Sequence, residues 1–266
     1  MGFGVTLTKA HAYGNDFLLV RAAELGAIAS LPAFVRAICD RHRGIGADGV
    51  MVIEETTDGA TTRLFNADGS SSELSGNGVR CVGAWLGFER NLSAGDVVTI
   101  GTGAGPKVLT FLGATGRCCR FRASMGPPEG LEQASLEVAG ERVTAIVMRV
   151  GNPQCVVLGP LSSERLHTIG AGLAVHRHFP AGTNVELALV EAPDRVRILI
   201  WERGVGPTES SGTGACAAAV AAAAFGGAGR RTQVVAPGGT QLVEWTESDL
   251  LLTGEAEVVG GVEWWV

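Results

Sequence analysis

Glu73-Leu-Ser-Gly-Asn-Gly78 decides the fold, because the chain repeats it as Glu209-Ser-Ser-Gly-Thr-Gly214. Both copies follow the pattern Glu-x-Ser-Gly-x-Gly, and each precedes a segment of small and apolar residues that indicates a helix. The serines of the two copies are Ser75 and Ser211, so they lie 211 minus 75, or 136, positions apart in a chain of 266 residues. One short match arises easily by chance, whereas two at corresponding points indicate a duplication. The repeat predicts two lobes that face each other across a cleft.

Each copy of the motif has the features of an anion site. Glycines beside a helix start let a ligand approach the backbone closely, and the first-turn N–H groups have no partner within the helix. Together with the helix dipole, these groups attract an anion. Two such starts would hold one carboxylate and stabilise the charge that develops when a proton leaves the adjacent carbon. The alternative is that Gly-x-Gly only lets a helix approach a strand closely, which we would favour for one copy but not for the pair.

Ser75 and Ser211 directly precede the two Gly-x-Gly segments. These positions would flank the two faces of the α-carbon of a bound carboxylate, where stereochemical inversion needs one base and one acid. A thiol suits such a position because its pKa of about 8.5 is readily lowered by cationic or dipolar neighbours. A serine hydroxyl is a poor base unless another group removes its proton, and no histidine lies near either serine in the sequence.

Predicted helices and strands follow the same order in both halves. The first half has a helix at 31–39 and strands at 50–53 and 61–65 before its motif; the stretch 97–150 is strand-like and rich in turns. The second half has strands at 143–150, 155–158 and 196–201 and a helical segment near 162–172, with Gly151–Gln154 as a turn between two strands. We expect an N-terminal lobe at 1–125 and a C-terminal lobe at 126–266, with the last strands free to return to the first lobe.

Composition excludes several classes of function. Hydrophobic residues make up 46% and charged residues 18%, which suffices for a core and argues against disorder. The net charge of −6 and the scattered basic residues argue against a nucleic-acid partner. We expect no secretory signal, because the N-terminal residues lack a charged start followed by an apolar run. We also expect no membrane span, because the most apolar tract, Ala215–Ala228, is short and mostly alanine.

The cysteines and glycines give no sign of a cofactor. The six cysteines lack CxxC or zinc spacing, which indicates reduced thiols in a cytoplasmic protein and no metal. The chain has no GxxxxGK[ST] loop, and its glycine clusters lack the acidic partner of a dinucleotide fold. We therefore expect no nucleotide, flavin or pyridoxal phosphate.

Eight ordered motifs resemble those of the diaminopimelate epimerases, cofactor-independent enzymes of lysine and cell-wall biosynthesis. The resemblance covers essentially the full length. The motifs in the first half are His11-Ala-Tyr-Gly-Asn-Asp-Phe17, Arg41-His-Arg-Gly-Ile-Gly-Ala-Asp-Gly49, Phe65-Asn-Ala-Asp-Gly69 and Ser75-Gly-Asn-Gly-Val-Arg-Cys81. Those in the second half are Gly151-Asn-Pro153, Gly182-Thr-Asn-Val185, Glu202-Arg-Gly-Val-Gly206 and Ser211-Gly-Thr-Gly-Ala-Cys216.

The resemblance implies an α/β (α+β) fold of two pseudo-symmetric lobes, each a mixed β-barrel-like sheet around a central helix. It implies epimerisation of LL- and meso-diaminopimelate by two-base proton transfer, in a homodimer. Ser75 and Ser211 align with the two catalytic cysteines of the family. The residues implied to bind the reacting end are Asn15, Gly76, Asn77, Asn152, Gly212 and Thr213. Those implied to hold the distal amino and carboxylate groups are Asn66, Asn184, Glu202 and Arg203.

The sequence departs from the family at several positions. Besides the two serines, Gln154 replaces the usual histidine, and Pro207 and Glu209 replace Glu and Leu. Three hypotheses follow: an epimerase with serines in the acid/base positions, a related isomerase that uses Glu209 or Tyr13, and a catalytically impaired protein that binds amino acids. An exposed carboxylate near the helix start is the simpler interpretation of Glu209.

Overall fold

The computed structural model describes residues 3–73 and 75–266, which form seventeen strands and five α-helices. The strands are β1 Gly4–Ala12, β2 Asn15–Arg21, β3 Gly49–Thr56, β4 Gly59–Asn66, β5 Ser71–Ser72, β6 Val97–Thr102, β7 Gly105–Thr115, β8 Cys118–Ser124, β9 Glu129–Val138, β10 Glu141–Val150, β11 Asn152–Leu158, β12 Asn184–Ala192, β13 Arg195–Glu202, β14 Gly206–Thr208, β15 Arg231–Ala236, β16 Gly239–Trp245 and β17 Leu250–Trp265. The α-helices are α1 Leu31–Cys39, α2 Gly76–Arg90, α3 Ser163–Arg165, α4 Ala171–Ala174 and α5 Gly212–Phe225. A 3₁₀ turn at Ala22–Leu25 and a π turn at Leu166–Gly170 complete the helical segments.

The chain divides into two units, and the first is discontinuous. It runs to Ala123 and resumes at Gly254–Val266, while the second unit is Ser124–Thr253. The boundary lies two residues before the predicted one. Strand β17 contributes its first residues to the second unit and the remainder to the first.

The first unit is a closed eight-stranded barrel around helix α2. Its strands follow one another in the order β1, β2, β3, β4, β6, β7, β8 and β17, and β17 pairs with β1 to close the ring. The β2–β3 and β4–β6 pairs are parallel, whereas the pairs β1–β2, β3–β4, β6–β7, β7–β8 and β1–β17 are antiparallel. Helix α2 approaches the barrel wall closely at Gly83, where an added methyl group would lie 2.7 Å from Leu109 Cδ1. The small residue therefore lets the helix lie inside the ring.

The second unit repeats this arrangement. Its strands follow in the order β9, β10, β11, β12, β13, β15, β16 and the start of β17, with parallel β11–β12 and β13–β15 pairs at the corresponding places. Backbone hydrogen bonds of Met125 and Gly126 to Leu250 tie the start of the unit to β17. The central helix is α5, whose residues Ala215–Ala222 are all buried. Alanine is the best helix former, and its small side chain suits a helix surrounded by strands.

The predicted fold is confirmed, including the mixed sheets and their central helices. Helix α1 has the predicted bounds, with Pro32 in its first turn, where proline costs no hydrogen bond. One prediction was wrong: Asn152, Pro153 and Gln154 belong to β11 rather than to a turn. Only Gly151, at φ +71°, makes the bend, so the reversal needs fewer residues than expected. Among the described residues, no helix is long and apolar enough to cross a membrane.

Candidate active site

Ser75 is the N-cap of α2. Its backbone is extended (φ −132°, ψ 119°), and its Oγ accepts a hydrogen bond of 3.0 Å from the N–H of Gly78. This cap satisfies one donor of the first turn. An anion at the helix tip would face the N–H groups of Gly76 and Asn77, and an added methyl group at Gly76 would have no heavy atom within 4 Å. The tip of α2 is therefore open to a ligand.

Asn77 and Asn15 are in direct contact, as expected for two residues of one site. The Asn77 amide nitrogen donates to Asn15 Oδ1 at 3.1 Å, and Asn15 in turn donates to Asp48 Oδ2 at 2.8 Å. Arg80, which is 2% exposed, donates to Asn77 Oδ1 from the next turn of α2. These hydrogen bonds fix both amide planes before any ligand arrives.

A network of charged residues holds Asp48, the hydrogen-bond partner of Asn15, in place. Arg41 donates to Asp16 Oδ1 at 2.7 Å and to Asp48 Oδ1 at 2.8 Å, while Lys9 donates to Asp16 Oδ2 at 2.5 Å. Burial of Asp16 opposes its ionisation, but the hydrogen bonds from Arg41 and Lys9 outweigh this effect and lower its pKa to about 2. Asp16 is thus an anion at neutral pH, and Asp48 is held where it can accept from Asn15.

Ser211 caps α5 in the same way as Ser75 caps α2. Its backbone is extended (φ −139°, ψ 127°), and its Oγ accepts a hydrogen bond of 3.1 Å from the N–H of Gly214. The Oγ also lies 3.5 Å from Thr213 Oγ1. Ser211 is only 5% exposed, whereas Ser75 is half-buried.

Glu202 lies at the end of β13, close enough to the Ser211 hydroxyl for that hydroxyl to influence its pKa. Burial raises the pKa of Glu202, and the Ser211 hydroxyl partly opposes this rise. A carboxylate with a raised pKa is a stronger base than an exposed one. The pair therefore joins a serine to a group that can take its proton, which sequence spacing did not reveal.

Asn184 and Arg203 meet beside this pair. Asn184 Oδ1 accepts from the backbone N–H of Arg203 at 2.9 Å, and Arg203 Nη1 donates to the carbonyl of Ala181 at 2.8 Å. Asn184 is buried, while the Arg203 side chain is exposed. The structure thus brings together three of the four residues implied to bind the distal end: Asn184, Glu202 and Arg203.

Asn66, the fourth distal residue, belongs to the first unit. It ends β4, is exposed, and donates from its amide to Ser70 Oγ at 3.0 Å within the Asn-Ala-Asp-Gly turn. Its partner on the neighbouring strand β3 is Gly49, which follows Asp48 in the sequence. Asn66 therefore lies near the Asn15 support, but its side chain hydrogen bonds within its own turn.

Asn152, Gln154 and Thr213 form a second polar cluster in the second unit. One end of the Gln154 amide lies 2.5 Å from Asn152 Oδ1 and 3.0 Å from Thr213 Oγ1. The other end lies 3.1 Å from Oε1 of Glu186, a residue with 0% exposure. Asn152 and Thr213 are thus brought together through Gln154.

Tyr13 and Glu209 do not have the environment of a catalytic base. Glu209 is exposed beside β14. The Tyr13 hydroxyl accepts from the backbone N–H of Glu255 at 2.9 Å, and its ring lies 5.7 Å from the Arg80 guanidinium carbon. Burial raises the pKa of Tyr13, although the charge of Arg80 opposes this, so the phenol stays protonated at neutral pH.

Sequence reasoning missed the roles of Asp16, Arg41, Asp48 and Glu186. The first three lie inside motifs that were recognised, but which of their charges meet depends on the register of β2 and β3. Glu186 did carry a signal. It is the only charged residue in the apolar run Val185–Leu189, at a position where β12 alternates between two buried faces.

Comparison with known proteins identifies a family that matches most of the chain. The family model described as diaminopimelate epimerase matches residues 7–130 and 146–259. The diaminopimelate epimerase of Desulforudis audaxviator is 40% identical, with 97% of this chain and 98% of that protein covered. The diaminopimelate epimerase of Pelotomaculum thermopropionicum is 37% identical, with 95% and 96% covered.

Solved structures share the fold. A probable proline racemase from Agrobacterium radiobacter K84, solved with bound carbonate, superposes with a TM-score of 0.72 over 97% of this chain and 92% of that one, at 18% identity. At that identity the likeness bears on the fold alone. Because the family model spans most of the sequence and the relatives align over nearly their full length, the chain belongs to the diaminopimelate epimerase family.

Proposed function

We propose that this isomerase interconverts LL- and meso-diaminopimelate by proton transfer at the α-carbon, with Ser75 and Ser211 in the two acid/base positions. The observation that carries the proposal is the occurrence, in each unit, of a serine that caps a glycine-rich helix start. Each start offers N–H groups and a positive dipole end to a carboxylate. Membership of the diaminopimelate epimerase family indicates the substrate, an intermediate in the biosynthesis of lysine and cell-wall precursors.

The Ser211–Glu202 pair supports general-base chemistry on one face of the α-carbon. When Ser211 Oγ removes the α-proton, Glu202 accepts the hydroxyl proton of the serine, and the electron pair left on carbon is stabilised by the α-carboxylate and the helix N–H groups. In the reverse direction the same proton returns from Ser211 to carbon. Glu202 thereby takes a role at the reacting end in addition to the distal role that the resemblance implied.

On the other face, Ser75 delivers a proton to the α-carbon, and a proton from solvent then restores its hydroxyl. Asn15 and Asn77, held by Asp48 and Arg80, would orient the reacting end of the substrate. Among the described residues, no carboxylate or imidazole is hydrogen bonded to Ser75. Of the two serines, Ser211 is therefore the one with a neighbouring carboxylate that can take its proton.

Arg203 is the group proposed for the distal carboxylate of the substrate. Its exposed guanidinium is anchored at Ala181, and its backbone is fixed by Asn184. A guanidinium binds a carboxylate through paired hydrogen bonds. A one-ended amino acid would lack this interaction, so we propose that the site prefers two-ended substrates. The proposal extends to a cytoplasmic homodimer, as in the family resemblance.

The test is NMR of diaminopimelate incubated with the protein in D₂O, which reports exchange of the α-proton. We expect slow exchange with the parent chain, loss of exchange in Glu202→Gln, and much faster exchange in the Ser75→Cys, Ser211→Cys double variant, because a thiol ionises far more readily than a hydroxyl. Calorimetry at millimolar diaminopimelate is the matched binding measurement. The absence of heat, of a thermal shift and of exchange in every variant would refute the proposal.

A further inference from the structure

Glu186 is a buried carboxyl group that the proposed reaction does not use. It lies on β12 with 0% exposure, on the face of the strand turned toward α5. A methyl group added at Gly214 would overlap Glu186 Oε1, so the carboxyl touches the start of α5 beside the Ser211 cap. None of the ion pairs in residues 3–73 and 75–266 involves Glu186. A buried carboxylate without a cationic partner is costly, whereas the protonated acid is not.

The groups around Glu186 do not provide a positive charge. From β11 it faces Gln154, and from β13 the carboxyl of Glu202, while Cys155, the next residue of β11, packs on the opposite face of the sheet. Burial raises the pKa of Glu186 well above its ordinary value, and the charge of Glu202 adds to the rise. Burial also raises the pKa of the Cys155 thiol, so this neighbour is neutral as well. The α5 residues nearest to Glu186, Thr213 and Gly214, do not titrate.

The Gln154 amide distinguishes the two protonation states of Glu186. One end of the amide lies 3.1 and 3.3 Å from the Glu186 oxygens, and the other end lies 2.5 Å from Asn152 Oδ1 and 3.0 Å from Thr213 Oγ1. If Glu186 is ionised, the amide nitrogen must face it, and the amide oxygen then meets Asn152 Oδ1 unless the Asn152 amide is also reversed. If Glu186 is protonated, its O–H donates to the amide oxygen, and the nitrogen donates to Asn152 and Thr213. One proton therefore satisfies every group with both amides in place.

We propose that Glu186 is a positioning residue, held as the neutral acid, which sets the direction of the hydrogen bonds that run through Gln154 and Thr213 to Ser211. This inference rests on the proposed function, because the hydrogen bonds would orient the Ser211 hydroxyl that the proposed reaction uses. With Gln154 donating to Thr213 Oγ1, the Thr213 proton is directed to Ser211 Oγ, 3.5 Å away. Ser211 then accepts from Thr213 and directs its own proton to Glu202.

Ionisation of Glu186 would reverse the direction of these hydrogen bonds. Gln154 would turn its nitrogen to Glu186 and accept the Thr213 proton through its oxygen. Thr213 would no longer donate to Ser211, and Asn152 would lose the donor that fixes its own amide. Gln154 stands where the family usually carries histidine. Its uncharged amide would orient the hydrogen bond to Thr213 according to the protonation state of Glu186.

The first test reads the proton on Glu186 without any need for catalysis. In protein labelled with ¹³C at glutamate side-chain carboxyls, the signal that disappears in Glu186→Gln belongs to Glu186. We expect it to have the chemical shift of the protonated acid at neutral pH, and we expect nuclear Overhauser contacts from the Gln154 amide hydrogens to the Thr213 side chain. Titration of this carboxyl near its ordinary value of 4.5 would overturn the inference.

The second test compares two variants in the D₂O exchange assay. Glutamine at position 186 keeps a donor toward Gln154 and cannot ionise, whereas Glu186→Leu keeps the size and removes the donor. We expect exchange in Glu186→Leu to be about tenfold slower than in Glu186→Gln, the rate equivalent of one net hydrogen bond. The rate in Glu186→Gln should also lose any decline at alkaline pH that the parent has from ionisation of Glu186. Equal rates in the two variants would refute the positioning role.

The failure of the proposed function is distinguishable from failure of this inference. If no variant exchanges the α-proton, the epimerase proposal fails, while the carboxyl signal and the Gln154 contacts still decide the protonation of Glu186. Should Glu186→Leu not fold, Thr213→Val removes the same link from α5, and its exchange rate is compared with that of Thr213→Ser, which keeps the hydroxyl.

Discussion

The stability of the second unit in Glu186→Gln should increase relative to that of the parent as the pH rises. In the folded protein, burial keeps the carboxyl protonated above its ordinary pKa of 4.5, while the unfolded chain loses this proton near 4.5. The unfolded state therefore binds fewer protons than the folded state between these two pKa values. Stability that Glu186 provides is fully present below pH 4.5 and falls as the pH rises through that window.

The magnitude follows from the single proton involved. Each pH unit inside the window lowers the free energy of unfolding of the parent by about 1.4 kcal/mol relative to Glu186→Gln. The gap between the two proteins should widen by this amount for each pH unit above 4.5, until Glu186 loses its proton in the folded protein. The pH at which the widening stops gives the folded-state pKa directly.

Urea unfolding followed by the NMR signals of Ala215–Ala222 measures this quantity for the second unit, whether or not the two units unfold together. The matched control is Glu191→Gln. Glu191 lies on the same strand, but it is exposed and paired with Arg195 and Arg197, which lower its pKa. Its variant should show no widening above neutral pH. A constant gap between the parent and Glu186→Gln across the pH range would mean that Glu186 is ionised in the folded protein, and the reasoning would be wrong.

Three further predictions follow from the helix starts and their support. Because the pKa of Asp16 is lowered from 3.8 to about 2, acid titration through this interval should remove roughly 2 kcal/mol of stability from the parent, and urea midpoints of Asp16→Asn should lack this loss. Gly76→Ala should fold with unchanged thermal stability but bind diaminopimelate more weakly in calorimetry, whereas Gly214→Ala should lower the melting temperature, since its methyl group meets a buried carboxyl. Ser75→Cys and Ser211→Cys should each cost about 1 kcal/mol of stability in chemical denaturation, because sulfur replaces the cap oxygen, even as they speed α-proton exchange. Gains in both stability and exchange would show that the caps contribute nothing.

The fold could be predicted from the sequence because its signals are local and repeated. The Ser-Gly-x-Gly starts, the apolar strands and the turn glycines each specify their own element, and the duplication makes every such signal appear twice. The prediction at Gly151–Gln154 was wrong because asparagine and proline there favour a turn, while pairing with β10 and β12 holds the segment extended. Tertiary contacts thus outweighed a local preference.

Side-chain partnerships were harder to predict than positions. Glu202 was recognised as a site residue, but its contact with Ser211 depends on how β13 ends beside α5. Gln154 was seen only as a departure from the family, and its meaning emerged when Glu186 was found at the other end of its amide. Such contacts join residues far apart in sequence, and the hydrophobic pattern that identifies strands carries no information about them.

Strand β17 has a consequence for biogenesis. It follows the other sixteen strands of the described residues in the chain, yet it lies between β1 and β8. During synthesis the second barrel is therefore complete, apart from the start of β17, before the first can close. Until β17 has been made and paired, β1 and β8 remain open edges able to pair with other chains. A chain that lacks β17 would thus be most prone to aggregate through these two strands.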